Sequence, residues 1–285
     1  MEKIAVLIDS TSFLSEELKK ELDIRTVYLN IVINNHSYKE IIDMTADKYY
    51  EYLRDTNNSF PTTSQPAIGE VVACLEKLKE DGYTDVIAIA LSSGISGACS
   101  SYTVAGLMVD GINVHPFDSE VSCKPEGWYA IKAANLIKEG KNSNQIISAL
   151  NEMKKVSKAY FMADDLSHLQ RGGRLSGAQA LVGSLLQVKP LLHFEDKIIV
   201  PFQKIRTYKK VVLRMYELFD EFYQEHKGEN IHVCVLHVDA IEKAHEIKEY
   251  LEDKYPDIAI EIDAISPVIS THLGLGAIGF GWTIL

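Results

Sequence analysis

Short apolar, β-rich runs bounded by turn residues recur at 4–8, 86–91, 114–117 and 160–163, with helical patterns between most of them. This alternation is the strongest constraint on the fold, because a strand followed by a helix and a parallel strand is the unit of an α/β sheet. Ser12 is expected to cap a first helix that turns Phe13, Leu14 and Leu18 to one face. The same periodicity predicts helices near 68–80, 97–109, 125–138 and 143–155. The loops at the strand C-terminal ends are then the places to look for a ligand.

From about residue 157 the pattern changes. A helix near 176–186 precedes a hairpin, 189–194 and 197–202, that turns at Glu195-Asp196. A long amphipathic helix near 208–226, a strand over 231–237, a helix near 241–254, a strand over 258–265 and a last strand near 277–284 follow. The expectation is two α/β domains, 1–156 with a Rossmann-like parallel sheet and 157–285 with a second sheet. A chain of 285 residues is long enough to bury a core in each.

Charge and cysteine usage narrow the function classes. A net charge of −11 argues against nucleic acid as a broad electrostatic partner. Cys74, Cys99, Cys123 and Cys234 form no CxxC pair, so neither a disulfide framework nor a zinc site is expected. The N-terminal apolar stretch is only five residues long, and no apolar run reaches membrane-spanning length. The expectation is a cytoplasmic protein with no metal and no cofactor.

Four clusters have the residue types for chemistry. Thr62-Thr63-Ser64-Gln65-Pro66 precedes a helix, where hydroxyls either cap the helix or receive an anion. Ser92-Ser93-Gly94-Ile95-Ser96-Gly97 follows an apolar strand, and it misses a hydrolase nucleophile elbow by one residue, because Ala98 stands in the place of the second glycine. Arg171-Gly172-Gly173-Arg174 offers guanidinium forks suited to a carboxylate or phosphate, or simply a glycine-rich turn with solvated arginines. His272-Leu273-Gly274-Leu275-Gly276 opens a formal GxGxxG that ends six residues before the last residue, too late for a dinucleotide-binding unit. Asp9-Ser10-Thr11, Asp118-Ser119 and Asp164-Asp165 read as loop-organising acids.

Taken in order, Asp9-Ser10-Thr11-Ser12, Thr63-Ser64-Gln65-Pro66, Ser92 to Gly97, Asp118-Ser119, Gly172-Gly173-Arg174 and His272 to Gly276 resemble the DegV family, the fatty-acid-binding subunits of bacterial fatty acid kinase. The resemblance implies a two-domain α/β fold with an acyl-chain tunnel between the domains and a palmitate-like fatty acid as ligand. It assigns the carboxylate to Thr63 and Ser96, with Arg174 and His272 near the same end. It implies that Arg206, beside Thr207, works with a separate ATP-dependent kinase. This chain would present the acid, carry the acyl phosphate to phospholipid synthesis, and meet a membrane surface transiently. It has no P-loop of its own. Two other readings remain open from the residues: a serine hydrolase built on Ser96, His272 and Asp118, and a small-anion or nucleotide-binding module with no large apolar cavity.

Overall fold

The computed structural model describes residues 2–175 and 189–285. Strands β1 (Ile4–Asp9), β2 (Ile24–Val27), β6 (Asp85–Ala90) and β7 (Asn113–Asp118) form a parallel sheet in the order β2-β1-β6-β7. β1 and β6 are buried at every position, as continuous apolar strands covered on both faces must be. The helices joining this region are α1 (Glu16–Glu21), α2 (Ala46–Arg54), α3 (Ile68–Glu80), α4 (Ala98–Met108), α5 (Lys124–Lys138) and α6 (Ser143–Val156). A small antiparallel sheet, β4-β3-β5, is made by β3 (Asn30–Ile33), β4 (His36–Lys39) and β5 (Thr62–Ser64).

The second sheet holds six strands in the order β10-β9-β8-β13-β11-β12. These are β8 (Lys158–Met162), β9 (Leu191–Glu195), β10 (Ile198–Gln203), β11 (Ile231–His237), β12 (Ile260–Ala264) and β13 (Ile278–Ile284). Only β11 and β12 run parallel; the other pairs are antiparallel. Among the described residues, the helices of this half are α7 (Ser167–Arg171), α8 (Tyr208–Glu225), α9 (Ile241–Lys254) and α10 (Pro267–Leu273). Strand alternation divides the sheet's two faces. Phe280 and Trp282 enter one core with Phe219 and Phe222 of α8. Gly279 and Gly281, which alternate with them in sequence, line a cavity on the opposite face.

The structure corrects several local expectations. Ser12 caps no α-helix: Asp9 caps a 3-10 turn over Ser10–Ser12, and Ser15 caps α1 by accepting from Leu18 N. Phe13 then sits in the left-handed region at the end of that turn. β2, β3, β4 and β5 escape a periodicity reading because each has only three or four residues, too few to show alternation. The helix expected near 176–186 lies outside the described residues. Among the described residues, no helix is long and apolar enough to cross a membrane.

Candidate functional site

The cavity has a volume of about 350 Å³ and lies between the two larger sheets. Leu29, Leu91 and Ile95 line it from the first sheet's side, and Phe161, Leu236 and Gly279 from the second. Thr63, Ser96, Arg174 and His272, spread over more than two hundred positions of chain, all reach its wall. This size and lining fall within the range for sites that hold a small organic ligand.

Each polar residue arrives by a different local device. Thr63 is the middle residue of β5, held by its pairing with Ile31 of β3, and does not cap α3; Ala67 occupies that cap position without a side-chain bond. Its hydroxyl oxygen lies 2.8 Å from His272 Nε2. His272 sits in the last turn of α10, and α10 is tied to the first half of the chain at three points. Val268 N donates to Glu40 Oε2 at 3.0 Å, Tyr50 Oη donates to Ile265 O at 2.6 Å, and Tyr49 Oη meets Thr271 Oγ1 at 2.5 Å.

Ser96 lies in the turn between β6 and α4, where its hydroxyl accepts from Ala98 N at 3.2 Å. Gln65 lies over this turn. Its Nε2 donates to Ser101 Oγ at 2.7 Å, and a Cβ on Gly97 would fall 1.9 Å from its Oε1. Gly97 is therefore glycine because the Gln65 amide occupies that space.

Arg174 follows α7 and the Gly172-Gly173 turn. Its Nε donates to Ile95 O at 3.0 Å and its Nη1 to Gly172 O at 2.5 Å. Both acceptors are neutral, and among the described residues no carboxylate pairs with it; residues 176–188 contain no Asp or Glu at all. The result is a half-buried cation without a counter-ion, and such a charge is costly unless an anion joins it.

His272 is the electrostatic counterpart. Burial, followed by the nearby charges of Arg174 and His168, drives its pKa down to about 3. Some of the residue's surface stays open, yet Nδ1 is buried and finds no partner among the described residues. Gly172 packs against that nitrogen so closely that a Cβ there would lie 2.2 Å away. The imidazole is neutral and held in place.

This geometry overturns two of the alternative readings. A hydrolase triad needs an acid on His272 Nδ1, but Asp118 accepts instead from Ser93 N, Ser93 Oγ and Glu120 N and pairs with Lys197. The Nδ1 position that an orienting acid would address is empty of partners among the described residues. The small-anion or nucleotide module is corrected by the cavity itself, which is lined largely by apolar side chains. Arg206 lies elsewhere: it is exposed between β10 and α8, beside Lys204 and Lys210, and does not line the cavity.

Sequence reasoning placed Asp9 as a loop-organising acid but missed Glu40 and Glu126, fully buried carboxyls that lie near it behind the site. Asp9 Oδ2 accepts from Leu91 N at 2.8 Å, at the entrance to the Ser92–Ser96 turn. Glu40 and Glu126 sit in ordinary charged stretches, so only their burial marks them.

Residues 3–284 match the family model described as "Uncharacterised protein, DegV family". Protein DegV of Bacillus subtilis (strain 168) is 50% identical over 280 residues, covering 98% of each chain. A DegV domain-containing protein of Listeria innocua is 46% identical over 283 residues, 99% of each. Among solved structures, DegV, a fatty acid binding protein from Bacillus subtilis, is similar with a TM-score of 0.94 at 49% identity over 100% of both chains. A fatty acid binding DegV family protein from Streptococcus agalactiae gives 0.92 at 29% identity, again over 100% of both.

Proposed function

The chain belongs to the DegV family, and we propose that it binds a long-chain fatty acid in the cavity between its two sheets. The observation that carries this reading is the Arg174 guanidinium without a counter-ion, grouped with Thr63, Ser96 and His272 on the wall of a largely apolar cavity. A ligand that suits it has an anionic head and an apolar tail. Burying the tail is worth roughly 0.8 kcal/mol per CH₂, on the order of 10 kcal/mol for a long chain before the costs of association. The head contributes orientation: an isolated buried carboxylate is penalised by several kcal/mol, and hydroxyl donors with a guanidinium offset that penalty.

In this reading the protein is a substrate-presenting subunit in the cytoplasm. It offers the carboxylate to a separate ATP-dependent kinase and carries the acyl phosphate to phospholipid synthesis, meeting a membrane surface transiently. Arg206, exposed and basic-flanked outside the cavity, is the proposed contact for that kinase. We assign 1–156 and 157–285 to the two domains, because every strand of the six-stranded sheet follows residue 157.

Denaturing extraction of the purified protein followed by mass spectrometry tests the central claim. A stoichiometric long-chain fatty acid supports it; a protein that carries none and takes up none from solution defeats it. Replacement of Arg206 by Ala tests the partner claim separately, since it should leave fatty acid uptake intact and weaken kinase-dependent acyl phosphate formation.

A further inference from the structure

Asp118 is left unused by the carboxylate site, yet its single carboxylate joins two elements that both wall the cavity. Oδ1 accepts from Ser93 N at 3.1 Å and Oδ2 from Ser93 Oγ at 2.5 Å, which fixes the turn that continues into Ile95 and Ser96. Oδ2 also receives Lys197 Nζ at 3.1 Å. Lys197 is at the tip of the β9–β10 hairpin, whose Phe194 and Ile199 line the cavity across from Ile95.

Two further contacts converge on the same tip. Ser92 Oγ donates to Lys197 O at 2.6 Å. The Gly94 backbone lies so near that a Cβ there would be 2.2 Å from Lys197 O. The tip is itself a tight turn with Asp196 and Lys197 both at positive φ, 47° and 72°, the pattern of a two-residue hairpin loop normally filled by Asn and Gly. Neither residue is glycine, so the neighbouring contacts help to hold the turn.

The base of the hairpin is anchored by buried Leu191, Leu192 and Ile199, while its tip is held by the contacts of Lys197. The hairpin occupies the edge of the sheet, and β9 meets β8 over only two residue pairs, Tyr160 with His193 and Phe161 with Leu192. Beyond that short ladder, the tip at Asp196 and Lys197 is the part of the ribbon whose position depends on the clasp.

We propose that Asp118 is a positioning residue that clasps the β9–β10 hairpin, through Lys197, to the Ser92–Ser96 turn, and so governs how fast a fatty acid enters and leaves the cavity. The inference rests on the fatty-acid reading but assigns it a specific gate. Lys197 contacts none of Thr63, Ser96, Arg174 or His272, so releasing it loosens the hairpin wall, whereas Asp118 also holds the turn that carries Ile95, the acceptor of the Arg174 Nε bond, and Ser96.

The test uses the full chain loaded with cis-parinaric acid, whose fluorescence reports its transfer to excess lipid vesicles. Lys197→Met, a surface change that spares the fold, and Asp118→Asn should each speed release by about two- to fivefold, the range for a single partly exposed ion pair. The double variant should add nothing beyond either alone. Lys197→Arg should restore slow release. Release rates unchanged in Lys197→Met overturn the clasp, as does acceleration by Asp118→Asn alone, which would confine Asp118 to ordering its own turn. A wild-type protein that took up no probe would sink the fatty-acid reading itself, and the clasp with it, so the two failures are told apart.

Discussion

His272 Nε2 and Thr63 Oγ1 lie 2.8 Å apart although 209 positions separate them in the chain, and the other ring nitrogen of His272 is buried without a partner among the described residues. A neutral imidazole carries one proton. Placing it on Nδ1 buries an unsatisfied donor, whereas placing it on Nε2 makes the bond to Thr63 and leaves only an unsatisfied acceptor. The Nε2–H form therefore donates to the Thr63 oxygen, which frees the Thr63 hydroxyl proton to point at a ligand. With its pKa driven down to about 3, chiefly by burial, His272 should show no titration between pH 5 and pH 8. Nitrogen-15 NMR of the ring should report the Nε2–H tautomer throughout that window; an imidazolium signal at pH 6 would refute the assignment.

Truncating the groups proposed to hold the ligand's head should weaken ligand retention unequally. Arg174→Ala removes the one full charge among them and should lower fatty acid affinity by about ten- to a hundredfold, the range for hydrogen bonds to charged groups. Thr63→Val and Ser96→Ala each remove one neutral donor and should cost closer to three- to tenfold. Titration calorimetry on delipidated protein ranks the three. An Arg174→Ala protein that bound as tightly as wild type would contradict a carboxylate at this position.

Gly172 admits the imidazole, since a Cβ there would lie 2.2 Å from His272 Nδ1 and 3.1 Å from His168 O. Its φ of −71° suits alanine, so backbone strain is not at issue. Gly172→Ala should displace His272 and break its bond to Thr63. The expected result is weakened fatty acid binding with a thermal midpoint lowered by only a few degrees, as a local repacking cost of about 1–3 kcal/mol implies. Unchanged binding would show that His272 has room to move.

The buried acids predict a pH dependence of stability. Burial raises the Glu40 pKa from 4.5 to about 7, against the lowering effect of bonds from Ser10 Oγ and Val268 N. The folded state thus holds a proton that the unfolded chain has already released. The stabilisation is fully present below about pH 4.5, is lost as pH rises through 7, and is level above it, a change on the order of 3 kcal/mol. Glu40→Gln should flatten this decline in urea unfolding measured from pH 5 to pH 8. A decline of the same size in the variant would assign the effect to another group.

A second acid pair shows its proton by geometry. Thr11 Oγ1 has one hydrogen but lies 2.6 Å from Asp9 Oδ1 and 2.9 Å from Glu126 Oε2, so it can donate to only one of them. The other carboxyl must donate back, and Glu126, raised well above the ordinary range chiefly by burial, is the one that keeps its proton. Glu126→Gln, a permanently neutral mimic, should fold and bind ligand as wild type does at pH 7. Loss of the fold in this variant alone would show that Glu126 is needed as an anion.

The sequence by itself determined the layered architecture, because long apolar strands such as β1 and β6 and amphipathic helices such as α8 carry their periodicity within one continuous segment. It also marked, by their hydroxyls, glycines, arginines and histidine, the four motifs that contain Thr63, Ser96, Arg174 and His272, and the family resemblance singled out those four residues. Only the tertiary structure decided that these four meet at one wall, that Arg174 lacks a counter-ion, and that His272 bonds Thr63 while Asp118 holds the hairpin. The β3–β5 ribbon, the buried Glu40 and Glu126, and the Asp118–Lys197 clasp left no local trace. Periodicity records which face of an element meets the core; burial of a single charge and the pairing of distant segments depend on what packs opposite, and no short window of sequence contains that.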